Sequence, residues 1–211
     1  MKIISTNIAN PTTIMWNGKE EQTGLYKNPT PNPIFLGKTG IKGDTVMDKR
    51  VHGGALKAAY IYGDNRYPFW KEKYPNLDWQ YGFLGENLTF DSFDEEIVKI
   101  GDIFQIGQAK VQITQPRKPC YKLGIRFGTQ DAVKMFIESP FPGGYVQILE
   151  EGAVQVGDEA ILLESDAYQL TLAEVFYLIY HRDGDLKLAQ KAMDLDVLPE
   201  KCKKNIYRNY F

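Results

Sequence analysis

Short β-like runs, interrupted at close intervals by glycine, proline, aspartate and asparagine, dominate the first 165 of the 211 residues. The runs are rich in β-branched and aromatic side chains, which favour strands, and the interrupting residues are typical of turns. They lie at residues 2–8, 58–62, 103–106, 110–115, 145–149 and 159–163. Strands this short and this regularly interrupted predict a mostly β fold, as a barrel or a sandwich.

Two helices are predicted inside this β region. At residues 64–74, the aromatic side chains of Tyr67 and Trp70 recur at helical spacing. At residues 131–138, an acidic residue suits the first turn of a helix, and Pro140 prevents the helix from continuing.

The pattern changes in the last quarter of the chain, where apolar residues recur with the period of a helix. Three helices are predicted, around residues 170–179, at residues 185–193, and from Pro199 onward. We therefore expect a β-barrel domain at residues 1–165 and a small three-helix C-terminal domain at residues 166–211. The aromatic side chains of the helical domain are expected to pack on the barrel or on a partner subunit, which would make the protein a homodimer.

The composition limits the classes of function. Lys and Arg number 25 and Asp and Glu 27, so the net charge of −2 creates no overall field that attracts nucleic acid or anionic lipid. The sequence contains no signal-peptide run and no stretch near the roughly 20 apolar residues that span a bilayer. Two cysteines, Cys120 and Cys202, make no disulfide framework. We expect a cytoplasmic protein whose partners are neither nucleic acid nor membrane.

The run Gln-Pro-Arg-Lys-Pro-Cys at residues 115–120 is the most informative motif. Neither proline can donate a hydrogen bond to a sheet, so the strand before Cys120 must leave the sheet here, and the thiol lies on a stiff loop. No acidic residue occurs between positions 103 and 130, whereas four cations surround the thiol: Arg117, Lys118, Lys122 and Arg126.

These cations, together with a helical turn beginning at Tyr121, favour the thiolate form of Cys120. A thiolate is a soft ligand for a transition metal and also a nucleophile. The alternative is an inert buried cysteine in a basic stretch, and the sequence alone leaves that alternative open.

Two further clusters carry polar groups. The first runs from Gly43-Asp44 to Asp48 and continues at residues 51–57, where paired glycines expose backbone N–H donors and His52 and Lys57 add a hydrogen bond and a charge, which suits an anion such as phosphate. A loop histidine satisfied by a backbone carbonyl is the competing interpretation of His52. In residues 85–89, Asn87 offers the donor and acceptor that a heterocycle needs, and Glu86 is expected to have a structural role.

Other kinds of site fail on spacing. Gly37-Lys38-Thr39 resembles the end of a P-loop, but position 32, where the first glycine is required, holds Asn32. The sequence has no Gly-x-Gly-x-x-Gly after a strand and no Cys-x-x-Cys. His52 and His181 lie in different predicted domains, so a zinc site or an iron–sulfur cluster lacks ligands.

Five motifs in order resemble the MOSC domain family, and more narrowly its bacterial branch that confers resistance to 6-N-hydroxylaminopurine. The motifs are His-Gly-Gly-x-x-Lys-Ala (52–58), Gly-Glu-Asn-Leu-Thr (85–89), Ile-Gly-Asp (100–102), Gln-Pro-Arg-x-Pro-Cys (115–120) and Gly-Tyr…Leu-Glu-x-Gly…Gly-Asp (144–158). The resemblance covers residues 1 to about 165, and the short helical tail fits the same branch.

The resemblance implies a β-barrel that holds a molybdenum cofactor of the molybdopterin type in a basic pocket, with Cys120 as the ligand to molybdenum. Residues at matching positions are expected to bind the cofactor: Lys27, His52, Lys57, Asn87, Arg117, Cys120 and Arg126.

We therefore expect an oxidoreductase that reduces N-hydroxylated compounds, such as 6-N-hydroxylaminopurine, to the amine, with Cys120 and His52 as catalytic residues. His52 would assist proton delivery. The sequence has no flavin, nicotinamide or iron–sulfur motif, so a separate electron-donor reductase is expected as a partner. Two alternatives stay open, a non-enzymatic carrier or storage module for the cofactor and a cysteine-nucleophile transferase with His52 as its base.

Overall fold

A computed structural model describes residues 1–47, 53–165 and 170–211. The strands in these ranges form sheets of eight, three and two strands. The strands are β1 Ile3–Ile8, β2 Thr12–Trp16, β3 Lys19–Thr23, β4 Asn28–Pro29, β5 Ile34–Gly37, β6 Gly40–Ile41, β7 Ala59–Gly63, β8 Leu88–Phe90, β9 Ile103–Ile106, β10 Ala109–Pro116, β11 Gly144–Glu150, β12 Gly152–Val154 and β13 Ala160–Glu164.

The large sheet has the strand order β13-β9-β10-β11-β7-β8-β1-β4. Neighbouring strands are antiparallel except β7 and β8, which are parallel and so make the sheet mixed. Each of the six predicted strands coincides with one of its members to within a residue at either end: β1, β7, β9, β10, β11 and β13.

The large sheet is not a closed barrel, and the sequence-based expectation of a barrel is wrong in this respect. The start of β1 approaches the start of β13 at a bridge between Lys2 and Glu159, where the N–H of Ala160 donates to the carbonyl of Met1 (2.9 Å) and the N–H of Ile3 to that of Asp158 (2.8 Å). The register of β1 then shifts between Ile3 and Ser5, and β1 continues against β8 and β4. Such a shift bends a strand, and within the described residues β1 and β13 are not paired with each other as strands.

Six α-helices accompany the sheets in the described residues. They are α1 Tyr67–Lys73, α2 Tyr121–Phe127, α3 Asp131–Glu138, α4 Leu172–Tyr180, α5 Leu186–Asp194 and α6 Glu200–Tyr210. α4 begins at a capping box in which Thr171 and Glu174 satisfy each other's backbone N–H groups. None of the described helices is long and apolar enough to cross a membrane.

The C-terminal helices share the hydrophobic core of the large sheet. Val175 of α4 and Ile206 of α6 belong to the same buried cluster as Ile113 of β10 and Val146 of β11. Burial of this apolar surface stabilises the association of the helices with the sheet. That the helices form a domain of their own, beginning near residue 166, stays a prediction.

An aromatic cluster holds the short helices α1, α2 and α3 together. The ring of Phe127, at the end of α2, lies 5.4 Å from that of Trp70 in α1 and 5.3 Å from that of Phe83. Phe136 of α3 stacks on the other side of Trp70 at 5.8 Å. Close contacts of this kind between buried rings fix the position of α2, which follows Cys120 directly.

Glu95 is a buried carboxylate that joins α1 to the start of β11. Its side chain accepts hydrogen bonds from Nε of Arg66 and from the N–H of Gly143, both at 3.1 Å. Burial raises the pKa of Glu95 to about 7, although Arg66 opposes the shift.

The raised pKa of Glu95 predicts a pH-dependent contribution to stability. The folded state holds the proton more tightly than the unfolded state, whose pKa is near 4.5, so the contribution is complete below pH 4.5 and is lost as the pH rises to about 7. Glu95→Gln removes this titration and keeps one of the two acceptor contacts. We expect urea unfolding to show the variant gaining up to about 3 kcal/mol relative to the wild type between these pH values. A constant difference across that window would contradict the assignment.

Candidate functional site

Five of the residues predicted from the sequence line one cleft: Lys27, Lys57, Asn87, Arg117 and Cys120. The cleft and the open solvent at its mouth together amount to about 770 Å³. Its walls come from segments far apart in sequence, and they also include Thr23, Gly24, Leu25, Asp44, Thr45, Val46, Met47, Ala58, Tyr60, Gly85, Lys118, Lys122 and Tyr145.

Cys120 lies on the wall of the cleft at the point where the chain leaves β10 and begins α2. β10 ends at Pro116, and the extended backbone of Cys120 precedes the first residue of the helix. The carbonyl of Cys120 accepts the N–H of Leu123 at 2.9 Å, and the thiol is half-buried and unbonded to the other cysteine. The predicted stiff loop is therefore present, and it ends in a helix that the aromatic cluster holds in place.

The hairpin of β2 and β3 packs on the outside of α2, next to Cys120. Trp16 stacks on Tyr121 with 4.7 Å between ring centroids, and the hydroxyl of Tyr121 donates to Glu21. Nζ of Lys122 donates to the carbonyl of Gln22 at 3.0 Å. β3 ends at Thr23, and Thr23 lines the cleft. The hairpin therefore connects the start of α2 to another part of the wall of the cleft.

Arg117 is anchored inside the protein. Its residue is 5% exposed, and Nη1 donates to the carbonyl of Leu84. The guanidinium lies 4.9 Å from the ring of Tyr60 and 5.4 Å from that of Phe136. These contacts are cation–π interactions in a desolvated setting. Arg117 therefore fixes the loop that carries Cys120 while it contributes positive charge to the cleft.

Lys57 and Lys118 form a second group of cations. Lys57 is brought to the cleft by a 3₁₀ turn at Ala55–Lys57, which follows Gly54 at φ 92, a conformation that favours glycine. Nζ of Lys57 lies 5.4 Å from the ring of Tyr145. Burial lowers the pKa of both lysines from the ordinary 10.5.

Asp44 is a charged residue of the cleft that was not among the predicted site residues. Its side chain is 4% exposed and forms an ion pair with Lys27. Oδ2 also accepts a hydrogen bond from Nδ2 of Asn87 (2.9 Å), and Oδ1 accepts one from the N–H of Ala9 (2.8 Å). Burial lowers the pKa of Lys27, and the charge of Asp44 opposes that shift. The sequence placed Gly43-Asp44 in the predicted anion-binding cluster but did not predict this contact.

Asn87 is held by the protein at each of its polar atoms. Its Oδ1 accepts the N–H of Tyr60 at 3.2 Å, and its Nδ2 donates to the carbonyl of Asn7 at 3.2 Å as well as to Asp44. The preceding Gly85 has φ 87, and a Cβ there would lie 2.5 Å from Cδ1 of Leu25. The absence of a side chain at Gly85 thus allows this part of the cleft to pack closely against Leu25.

Glu86 lies behind the cleft in a fully buried position. Its Oε1 accepts hydrogen bonds from the hydroxyl of Tyr67, the N–H of Gly82 (2.7 Å) and the hydroxyl of Thr89 (3.0 Å). Burial raises the pKa of the carboxyl group. These contacts connect β8 to the turn before it, which is a structural role.

The remaining predicted residues are placed differently. Arg126 does not line the cleft; its guanidinium is sandwiched between the rings of Tyr26 and Phe83, at 4.4 Å from each. His52 lies outside the described residues. Within those residues, no group of three or more His, Cys, Asp and Glu side chains is arranged to hold a metal ion. A metal bound at Cys120 would therefore need most of its ligands from a cofactor.

Relatives of known sequence resemble the chain over most of its length. YflK of Bacillus subtilis is 33% identical over 94% of this chain and 89% of its own. YiiM of Escherichia coli is 31% identical over 77% of this chain and 73% of its own. A protein of Gibberella moniliformis named a reductase is 32% identical over 84% of this chain, which spans only 32% of that protein.

Solved structures show the same fold. The crystal structure of YiiM from Geobacillus stearothermophilus matches with a TM-score of 0.82 and 26% identity, covering 100% of this chain and 99% of that one. YiiM from Escherichia coli matches with a TM-score of 0.77 at 22% identity, covering 99% and 92%, and supports the fold alone. The profile of the MOSC domain matches residues 48–160, which is more than half of the chain. The chain therefore belongs to the MOSC domain family.

Proposed function

We propose that the chain binds a molybdenum cofactor of the molybdopterin type, with Cys120 as the protein ligand to the metal. We further propose that it is an oxidoreductase that reduces N-hydroxylated compounds, such as 6-N-hydroxylaminopurine, to the amine. The observation that carries the proposal is a half-buried thiol in a cleft lined by cations. Membership of the MOSC family supports the choice of cofactor.

The donor groups of the cleft fit this cofactor. A pterin with a terminal phosphate needs cations, hydrogen-bonding groups and, for its metal, a soft ligand on a rigid backbone. Lys57, Lys118 and Lys122 supply cations, Asp44 supplies a polar acceptor, and Cys120 supplies the thiolate. Because the cofactor brings its own sulfur ligands, a single protein thiolate is enough, in agreement with the absence of a metal-binding cluster among the described side chains.

The residues of the chain would bind the ligand and keep water away from it. Lys57 and Lys118 would attract the anionic end, and the rings of Tyr60 and Tyr145, 5.2 Å apart, would form an apolar wall. Beside an apolar wall, electrostatic contacts between the cleft and a ligand are stronger than the same contacts in water. Arg117 would hold the loop that carries Cys120 in a fixed position relative to the opposite wall of the cleft.

The reaction requires two electrons and two protons for each N–O bond broken, and it releases the amine and one water. The bound cofactor would supply the two-electron reduction. The assignment of proton delivery to His52 stays a prediction. We propose that electrons come from a separate reductase, because the sequence contains no motif for a second redox cofactor. The relative named a reductase supports this class of reaction.

Removal of the Cys120 thiol tests the metal ligand. In a host that makes the cofactor, we expect Cys120→Ala to lower the molybdenum content of purified protein by about tenfold or more, since a ligand is lost. Cys202→Ser is the control because it removes the other thiol, which is buried and does not line the cleft. Elemental analysis and pterin fluorescence give the contents. Equal molybdenum in the Cys120→Ala and wild-type proteins would refute the assignment.

The same preparations distinguish the two other functions that the sequence leaves open. Wild-type protein fully loaded with molybdenum, given an artificial electron donor, should consume 6-N-hydroxylaminopurine; a loaded protein without turnover would instead be a carrier. A cysteine-nucleophile transferase would contain almost no molybdenum, yet Cys120→Ser would abolish its activity.

Neutralising one lysine of the cleft tests the anion-binding group. We expect Lys118→Met to lower the cofactor content by about tenfold, since a hydrogen bond between charged groups contributes about 1.5–3 kcal/mol. The control is Lys134→Met, whose side chain is 76% exposed on α3 outside the cleft. The pterin content after dialysis against buffers of rising ionic strength gives the measurement. The assignment fails if the two variants retain the same content.

A further inference from the structure

Asp44 is the only acidic residue among the described residues that line the cleft. Its position is unexpected in a site built from cations, because a carboxylate repels phosphate and other anions. The side chain is nevertheless 4% exposed and held by the protein at both oxygens. A buried carboxylate in such a place requires a physical explanation.

The carboxylate of Asp44 has capacity for a further hydrogen bond. An ionised carboxylate has about four acceptor positions. Lys27 and Asn87 donate to Oδ2, whereas Oδ1 accepts only the N–H of Ala9 among the described residues. Asn87 keeps its own donors occupied within the protein. Asp44, rather than Asn87, is therefore the acceptor that a ligand in the cleft can use.

The cations of the cleft fall into two groups. Nζ of Lys57 lies 5.4 Å from the ring of Tyr145, and burial and the positive charge of Lys118 contribute to the lowered pKa of Lys57, whereas Lys27 forms an ion pair with Asp44. Lys27 is influenced by Asp44, Glu86 and Arg117. Because Asp44 neutralises Lys27, one part of the cleft is cationic and the other is a neutral pair with an acceptor oxygen.

We infer that Asp44 recognises the N–H edge of the heterocycle bound in the cleft and thereby sets the direction of the ligand. The inference rests on the proposed function. The heterocycle would place an amino N–H group on the remaining acceptor position at Oδ1 of Asp44, and its anionic end would lie on Lys57 and Lys118. The ligand chemistry is that of an amino-substituted pteridine or purine, in which an amino group lies beside a ring nitrogen. Asn87 and the N–H of Ala9 are then positioning groups for Asp44.

The test compares two pteridines on protein made without cofactor. Pterin has the 2-amino group, whereas lumazine has an oxygen in its place. Wild-type protein should bind pterin about tenfold more tightly than lumazine, because the oxygen of lumazine would face a carboxylate. Fluorescence titration gives both dissociation constants. Equal constants in the wild type would overturn the inference without the need for any variant.

Asp44→Asn should abolish this preference or reverse it, since the amide can donate to the oxygen of lumazine. The matched control is Asp131→Asn on α3, where the carboxylate is 76% exposed; it should keep the wild-type preference. If Asp44→Asn alone does not fold because Lys27 loses its partner, the double variant Asp44→Asn with Lys27→Met removes both charges. A folded variant that keeps the preference for pterin would contradict the inference.

Protein expressed with the cofactor identifies the source of the heterocycle. Reduced pterin content in Asp44→Asn would assign the contact to the cofactor, and normal pterin content with weaker binding of 6-N-hydroxylaminopurine would assign it to the substrate. Normal pterin content and normal purine binding would overturn the inference. Failure of the proposed function looks different, because wild-type protein would then contain no pterin and would bind neither pteridine.

Discussion

The position of Cys120 depends on the buried guanidinium of Arg117. The side chain donates to the carbonyl of Leu84 and lies over the rings of Tyr60 and Phe136, so it connects the Cys120 loop to β7, α3 and the turn before β8. Leaving such a cation without its partners inside the protein would cost several kcal/mol. The arrangement therefore fixes the thiol relative to the opposite wall of the cleft.

The other charged side chains of the cleft differ in their partners. Asp44 and Lys27 form a buried ion pair, whereas Nζ of Lys57 lies over the ring of Tyr145 and Lys118 also lines the cleft. Buried pairs contribute more to specificity of arrangement than to stability. A ligand with one anionic end and one hydrogen-bonding end would thus find a preferred direction. The shared core of α4, α6 and the sheet keeps the strand β10 that leads to Cys120 in place.

Much of the sheet could be predicted from the sequence because its strands are rich in β-branched and aromatic residues. The hairpin of β2 and β3 was not predicted, since its second strand carries Lys19, Glu20 and Glu21 and is largely exposed. One local signal could have found it: Asn17-Gly18, with φ 48 and 74, is the dipeptide typical of a two-residue hairpin turn. The open sheet could not be foreseen, because the approach of β1 to β13 depends on residues that lie far apart in the sequence.

The candidate site also contains residues that could be predicted from the sequence and residues that could not. Cys120 and Arg117 were predicted because prolines and cations cluster within one short segment of the sequence. The role of Asp44 could not be predicted, since its contacts to Ala9, Lys27 and Asn87 join residues that lie 35, 17 and 43 positions away. Such contacts leave no local pattern of spacing. The placement of Arg126 between two rings likewise depends on the packing of α2.

The central claim is that the thiolate of Cys120 binds the metal directly. X-ray absorption at the molybdenum edge measures this most directly, because it counts the sulfur atoms around the metal in the loaded protein. Comparison of wild type with Cys120→Ser should show one sulfur neighbour fewer and one oxygen neighbour more in the variant. An unchanged number of sulfur neighbours at full metal loading would contradict the claim.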